Sequence, residues 1–250
     1  MKVLGCIPAR LGSTRFANKV LANDTGKFLI QHTYERAMQA KCLDKILIAA
    51  DDQIVLDACK SFGAPCVMTS VNHQSGTDRI AEAVQDLDAD IIINLQADEP
   101  EIDPANIDYL AKLLIENKDC PMATLAAEFG SKTQVVDPNI VKVICDEKGF
   151  AIYFSRSVIP YDRESGGVGN VKNYLRHLGI YAYRKDFLLK ITKLPQSKLE
   201  KIEKLEQLRA LETGFKILVG KVTHTCDGID TQEQYREFVK RYADLSFRTQ

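Results

Sequence analysis

No apolar run in this chain approaches the ~20 residues that a bilayer-spanning helix needs, so insertion into a membrane is excluded. The apolar run after Lys2 stops at Pro8 and Arg10, too short for a secretory signal, and none is expected. The seven cysteines contain no Cys-x-x-Cys pair. An odd, unpatterned set fits a reducing cytoplasm, with most of the thiols serving as small core residues. His32, His73, His177 and His224 lie far apart, and no zinc spacing forms. A formal net charge of −1 gives no electrostatic reason to expect nucleic acid or an anionic membrane as partner. Internal repeats, low-complexity tracts and a composition break that would mark an independent second domain are all lacking. Neither the Gly-Lys-Ser/Thr ending of a P-loop nor the dinucleotide fingerprint occurs.

What remains is an ordinary globular composition, 45% hydrophobic and 27% charged over 250 residues, enough for one substantial core and one domain. Strand and helix signals alternate through the first half. Residues 2–7, Lys45–Ala50, Pro65–Met68 and Ile91–Leu95 read as strands. Residues 27–40, 53–62 and Thr77–Leu87 read as helices, the second capped by Asp51-Asp52 and closed by Gly63. This rhythm predicts a doubly wound, mostly parallel α/β sheet. After residue 120 it changes: Met122–Ala127, Ile140–Cys145, Ala151–Phe154 and Tyr174–Tyr183 predict an antiparallel extension of that sheet over 120–183, with a hairpin turn at Asp146–Gly149. Glu164–Asn173, with three glycines and many polar residues, predicts a mobile loop. Residues 198–213, with Leu199, Ile202, Leu205, Leu208 and Leu211 on one stripe, read as a single amphipathic helix; a strand at Lys216–Val222 and a helix at Gln232–Arg241 follow.

The chemistry gathers at strand ends. The first strand opens into a loop carrying Gly12, Ser13 and the cations Arg10, Arg15 and Lys19. Open α/β sheets bind ligands at their carboxyl edge, and three cations within ten residues suit a polyphosphate; an ordinary solvated loop is the plain alternative. Leu95-Gln96-Ala97-Asp98-Glu99-Pro100 sets a carboxylate one step beyond a buried strand, where it needs a cation or hydrogen-bond donors, and Mg2+ fits because it takes one or two carboxylates plus substrate phosphates. Asp230-Thr231 before the last helix reads by itself as an N-cap. His73-Gln74-Ser75-Gly76-Thr77-Asp78-Arg79 is a polar turn opening a helix, with Ser75 or Thr77 as its cap.

Taken in order, these runs resemble the sugar nucleotidyltransferases, and within them the cytidylyltransferases that activate 3-deoxy-manno-octulosonate (Kdo). Ile7-Pro8-Ala9-Arg10, Ser13-Thr14-Arg15 and Lys19 follow the family's I-P-A-R-x-x-S-T-R-L-P-G-K-P-L, with Asn18 in place of the glycine and Ala17 and Val20 in place of the prolines. Asn18 is the next best residue for a backbone of positive φ. Gln96-Ala97-Asp98-Glu99-Pro100 follows Q-G-D-E-P, Asp230-Thr231 follows V-D-T, and residues 73–79 follow H-Q-S-G-T-E-R. Phe154–Arg163, Arg176–Tyr181 and Leu205–Arg209 follow F-S-R-x-x-I-P-W-D-R, R-H-L-G-I-Y and L-E-Q-L-R, with Tyr161 for tryptophan.

The resemblance implies transfer of CMP from CTP to the anomeric hydroxyl of an acidic 3-deoxy sugar, with release of pyrophosphate, in a cytoplasmic homodimer paired through 120–183 that feeds lipopolysaccharide synthesis. It implies nucleotide binding by Ala9, Arg10, Ser13, Arg15, Lys19, Gln74, Ser75 and Gly76, with Arg10, Arg15, Lys19 and Asp98 catalytic. Asp98 and Asp230 would hold Mg2+. Gln96, Arg163, His177, Tyr181, Glu206 and Gln207 would surround the sugar. An 8-amino analogue of Kdo, another acidic sugar, and a non-catalytic nucleotide-binding protein on the same fold stand as alternatives.

Overall fold

The computed structural model describes residues 1–13 and 15–248; Thr14 of the loop motif lies outside the described residues. The chain folds as two compact units. One comprises residues 2–89, 94–104 and the chain from Cys226 onward. The other comprises Met1, residues 90–93 and residues 105–225.

In the first unit, strands β1 (Val3–Ala9), β2 (Lys45–Ala50) and β3 (Cys66–Met68) run parallel in the order β3-β2-β1. Cys6, Ile7 and Ala9 of β1 and Ile48, Ala49 and Ala50 of β2 are fully buried, as expected of strands covered on both faces. Helices α1 (Leu29–Ala37), α2 (Gln53–Ser61), α3 (Gly76–Val84) and α9 (Gln232–Arg248) complete the unit. Asp52 caps α2 by accepting from the Ile54 N–H at 2.8 Å, and Gly63 closes it at φ 75°, a backbone that glycine adopts without strain. Ser75 caps α3, accepting from the Asp78 N–H at 3.1 Å. The apolar face of α9 supplies Tyr235 and Phe238, which pack with Leu29 and Ile229 and against Phe16 of the basic loop.

The second unit holds β4 (Ile91–Asn94), β5 (Met122–Glu128), β8 (Leu175–Arg184) and β9 (Ile217–Val222) in the order β4-β8-β5-β9. Strand β5 pairs antiparallel with β8 and parallel with β9. Strands β6 (Lys142–Cys145) and β7 (Ala151–Ser155) form the expected hairpin, with Gly149 at φ 83°, and β6 also pairs with β8. Four helices join them early in the unit and after β8: α4 (Pro104–Glu116), α5 (Lys132–Val136), α6 (Lys185–Ile191) and α7 (Lys198–Glu203), before α8 (Gln207–Glu212). The single helix expected over 198–213 is two helices. Lys204 takes a left-handed backbone at φ 54°, ending α7, and Ile202 of the assumed apolar stripe is 67% exposed. The capping box of Ser197 and Glu200 fixes the start of α7.

Candidate active site

The basic loop and the two aspartates lie in the first unit, and the structure brings them together. Beyond β1, Arg10 is exposed and Ser13 half-buried. Asn18 adopts φ 53°, the left-handed conformation for which asparagine is suited, and turns the chain into the short 3-10 segment Lys19–Leu21. Lys19 is thereby carried inward: its side chain is 10% exposed, and Nζ donates to Asp98 Oδ2 at 2.6 Å and Asp230 Oδ1 at 3.1 Å. Arg15 Nη2 meets the other Asp230 oxygen at 3.0 Å. The backbone also joins the aspartate segments, because the Ile229 N–H donates to the Asp98 carbonyl at 2.8 Å. Asp230 is not the cap of α9; that is done by Thr231 Oγ1, which accepts from the Gln234 N–H at 3.3 Å. Both aspartates can direct oxygen at one cation, which is what a Mg2+ site of two carboxylates and substrate phosphates requires. Gln96 Nε2 reaches Asn94 Oδ1 at 3.5 Å, and Ala97, buried in the strand-end turn, accepts from Thr33 Oγ1 at 3.2 Å.

The turn 73–79 belongs to the same unit. Gln74 is exposed. A side chain on Gly76 would come within 3.1 Å of Pro8 Cγ, so glycine there allows the turn to lie against the end of β1. Asp51, read from the sequence as part of a helix cap, and Arg79, the last residue of the motif, connect the turn to the basic loop. Asp51 Oδ1 accepts from the Leu11 N–H at 2.9 Å, and its other oxygen pairs with Arg79 Nη2 at 3.2 Å. Arg79 Nη1 donates to Thr69 Oγ1 at 2.6 Å. Arg79 is 2% exposed, so Asp51 compensates a desolvated guanidinium. The signal was present: of the Asp51-Asp52 pair read as a cap, one carboxylate suffices for capping.

In the second unit His177 and Tyr181 sit on β8 with ring centroids 5.4 Å apart, and Phe154 meets the His177 ring edge-on at 4.9 Å. Thr124 Oγ1 donates to the Ile180 carbonyl at 2.8 Å and lies 3.0 Å from His177 Nε2. The tautomer assigned from this network has Nε2–H donating to Thr124, which leaves Nδ1 as an acceptor. Burial lowers the His177 pKa to about 3, so the imidazole is neutral. Burial, then the neighbouring Tyr183 and Glu206, raise the Tyr181 phenol. Gln207 is 4% exposed and its Nε2 has no hydrogen-bond partner among the described residues, an uncompensated donor in a buried place. Arg163 is exposed on the turn bridged by Asp162 and Gly167.

The break at Lys204 explains the placing of Glu206 and Gln207. Ser155 Oγ and the Arg156 N–H hold the Glu203 carboxylate at 2.6 and 3.0 Å, and Arg156 Nε holds the Glu203 carbonyl at 2.7 Å. Arg209 pairs bidentately with Glu200 at 2.8 and 2.5 Å. Glu206 is left exposed at the start of α8.

The neutral state of His177 has a consequence for stability. Its folded pKa lies below the ordinary 6.5, so its contribution is complete above 6.5 and is lost as pH falls from there toward about 3. His177→Gln should therefore flatten the decline of the melting temperature on the acid side of pH 6.5, by up to one proton in the slope. Thermal unfolding of both proteins between pH 7 and pH 4 checks it; parallel curves refute it.

A profile of the cytidylyltransferase family matches residues 4–217. A 3-deoxy-manno-octulosonate cytidylyltransferase of Solibacter usitatus is 48% identical over 93% of this chain and 91% of its own length. One of Fusobacterium nucleatum is 45% identical over 96% of both. Among solved structures, a CMP:2-keto-3-deoxy-manno-octonic acid synthetase complexed with CTP superposes with a TM-score of 0.92 at 40% identity, covering 98% of this chain and 99% of its own. The mixed α/β architecture expected from the sequence, parallel strands with an antiparallel part, is that of this synthetase.

Proposed function

The chain belongs to the cytidylyltransferase family, with the 3-deoxy-manno-octulosonate cytidylyltransferases, and from that premise we propose that it transfers CMP from CTP to the anomeric hydroxyl of Kdo and releases pyrophosphate, an activation step for lipopolysaccharide synthesis. The observation that carries the reading is the convergence of Lys19 on Asp98 and Asp230, with Arg15 on the second of them.

The reaction is an in-line displacement at the α-phosphorus, for which a protein supplies placement and charge. Arg10, Arg15 and Lys19 bind the triphosphate, and Ala9, Ser13 and the turn of Gln74, Ser75 and Gly76 seat the rest of the nucleotide. Asp98 and Asp230 would hold Mg2+, which offsets charge on the α-phosphate and on departing pyrophosphate. Arg163 pairs with the acceptor carboxylate, while Gln96, His177, Tyr181, Glu206 and Gln207 bind its hydroxyls. The unpartnered Gln207 amide supports this, since an acceptor oxygen would satisfy it. The decisive assay is pyrophosphate release from each of four nucleoside triphosphates against a panel of acidic sugars that includes Kdo and its 8-amino analogue. CTP with Kdo should be the fastest pair; turnover with another nucleotide, or none, overturns the reading.

We place the enzyme in the cytoplasm, in keeping with seven free thiols, and as a homodimer through residues 120–183. Val136, Ile152 and Tyr161 in that stretch are 57%, 57% and 66% exposed, apolar surface that a partner subunit would cover. Light scattering at micromolar concentration should give about twice the 28.0 kDa chain mass; a species of that mass alone refutes the dimer.

A further inference from the structure

On the metal reading given above, we propose that Lys19 is a resident cation that keeps divalent metal off Asp98 and Asp230 until a nucleoside triphosphate draws it away. Its ammonium already occupies the position between the two carboxylates, 2.6 and 3.1 Å from them. With Arg15 on the outer Asp230 oxygen, the group of two carboxylates and two cations is charge-neutral. A divalent ion approaching this group meets no net attraction and must displace a desolvated ammonium that is 10% exposed. Arg15 is 65% exposed and well screened, so Lys19 is the barrier that matters.

The segments that carry the carboxylates are held by bonds that do not involve the lysine. The Ile229 N–H to Asp98 carbonyl bond fixes their segments to each other, and Gln234 Oε1 accepts from the Asp230 N–H at 2.7 Å. The lysine backbone is fixed too. The Lys19 N–H donates to the Phe16 carbonyl at 3.2 Å, the Phe16 ring lies 5.4 Å from that of Tyr235, and the Tyr235 hydroxyl accepts from the Asp24 N–H at 2.8 Å. Only the four-carbon stem needs to move. A triphosphate gives the ammonium a stronger anionic partner and leaves two aligned carboxylates for metal. Triphosphate and metal therefore bind with positive coupling, and by linkage each raises the affinity of the other by the same factor.

Mn2+ is the probe, its free fraction followed by electron paramagnetic resonance. Without nucleotide, Lys19→Met should bind Mn2+ at least about tenfold more tightly than wild type, a difference of ~1.4 kcal/mol. Asp98→Asn in the same chain should abolish the gain. Lys19→Arg, which keeps the charge, should bind as weakly as wild type. Equal Mn2+ affinity of Lys19→Met and wild type, with CTP still promoting binding in wild type, overturns the proposal and leaves the metal site standing. Mn2+ binding with CTP that is indifferent to Asp98→Asn and Asp230→Asn overturns the metal reading itself. A measurement that needs no variant at position 19 follows the 15N ammonium resonance of Lys19 in wild type. It should be unmoved by Mg2+ alone and shift with CTP; a shift with Mg2+ alone overturns the proposal.

Discussion

Asp98→Asn and Asp230→Asn should each slow pyrophosphate release at least about thirtyfold, the equivalent of ~2 kcal/mol of transition-state stabilisation. Each substitution keeps size and removes one charge. In the proposed reaction negative charge moves onto the pyrophosphate, and the two carboxylates act by holding the cation that offsets it. Loss of either leaves an incomplete ligand pair, so neither aspartate should substitute for the other. The folded state should change little. The side chains of Asp98 and Asp230 are 29% and 44% exposed, and the backbone bonds that seat their segments do not involve the carboxylates. The measurement is kcat with CTP and Kdo alongside the melting temperature of each variant. Wild-type turnover that persists in chelator would remove the metal from the mechanism.

Arg163→Ala should raise the apparent KM for the sugar acid about tenfold or more, while KM for CTP stays within about threefold. A charged hydrogen bond between arginine and carboxylate contributes ~1.5–3 kcal/mol. Arg163 lies exposed on the turn bridged by Asp162 and Gly167. Glu206→Gln should act with the same selectivity, because on the proposed reading this carboxylate, exposed at the start of α8, binds the acceptor's hydroxyls and does not touch the nucleotide. A neutral sugar lacking the carboxylate is the control: a poor acceptor for wild type, it should be little worsened by Arg163→Ala. Equal damage to CTP and sugar kinetics would assign Arg163 to the phosphates.

Local signals carried much of the fold. Strand β2 lies where its apolar run is, the β6–β7 hairpin turns on Gly149, and Asp52 caps α2. Apart from one helix with a clear local pattern, what escaped was set by long-range packing or by short length. Helix α4 was missed although Ile107, Leu110, Ala111 and Leu114 form a buried helical stripe behind a first-turn proline. Helices α5 and α6, of five and seven residues, are too short for periodicity to mark them. The break at Lys204 is invisible in the sequence because a leucine stripe continues through it; the tertiary grip of Ser155 and Arg156 on Glu203 overrides helix propensity there. At the candidate site, the motif residues were legible one by one, and Asn18 was legible even to its left-handed backbone. The Lys19 bridge and the Asp51–Arg79 link join residues far apart in sequence; the doubled Asp51-Asp52 signals a spare carboxylate, but no local pattern names its partner.

The division of the chain into two units bears on how acceptor preference is inherited. Arg163, His177, Tyr181, Glu206 and Gln207 all fall within the uninterrupted stretch from Ala105 to Thr225, whereas the residues read as nucleotide and metal ligands lie outside it. Of the proposed sugar contacts, Gln96 alone is encoded elsewhere. A recombination event with one junction at each end of that stretch would thus transfer, as a cassette, nearly the whole set proposed to recognise the acceptor and leave the residues proposed to handle the nucleotide in the recipient gene unchanged.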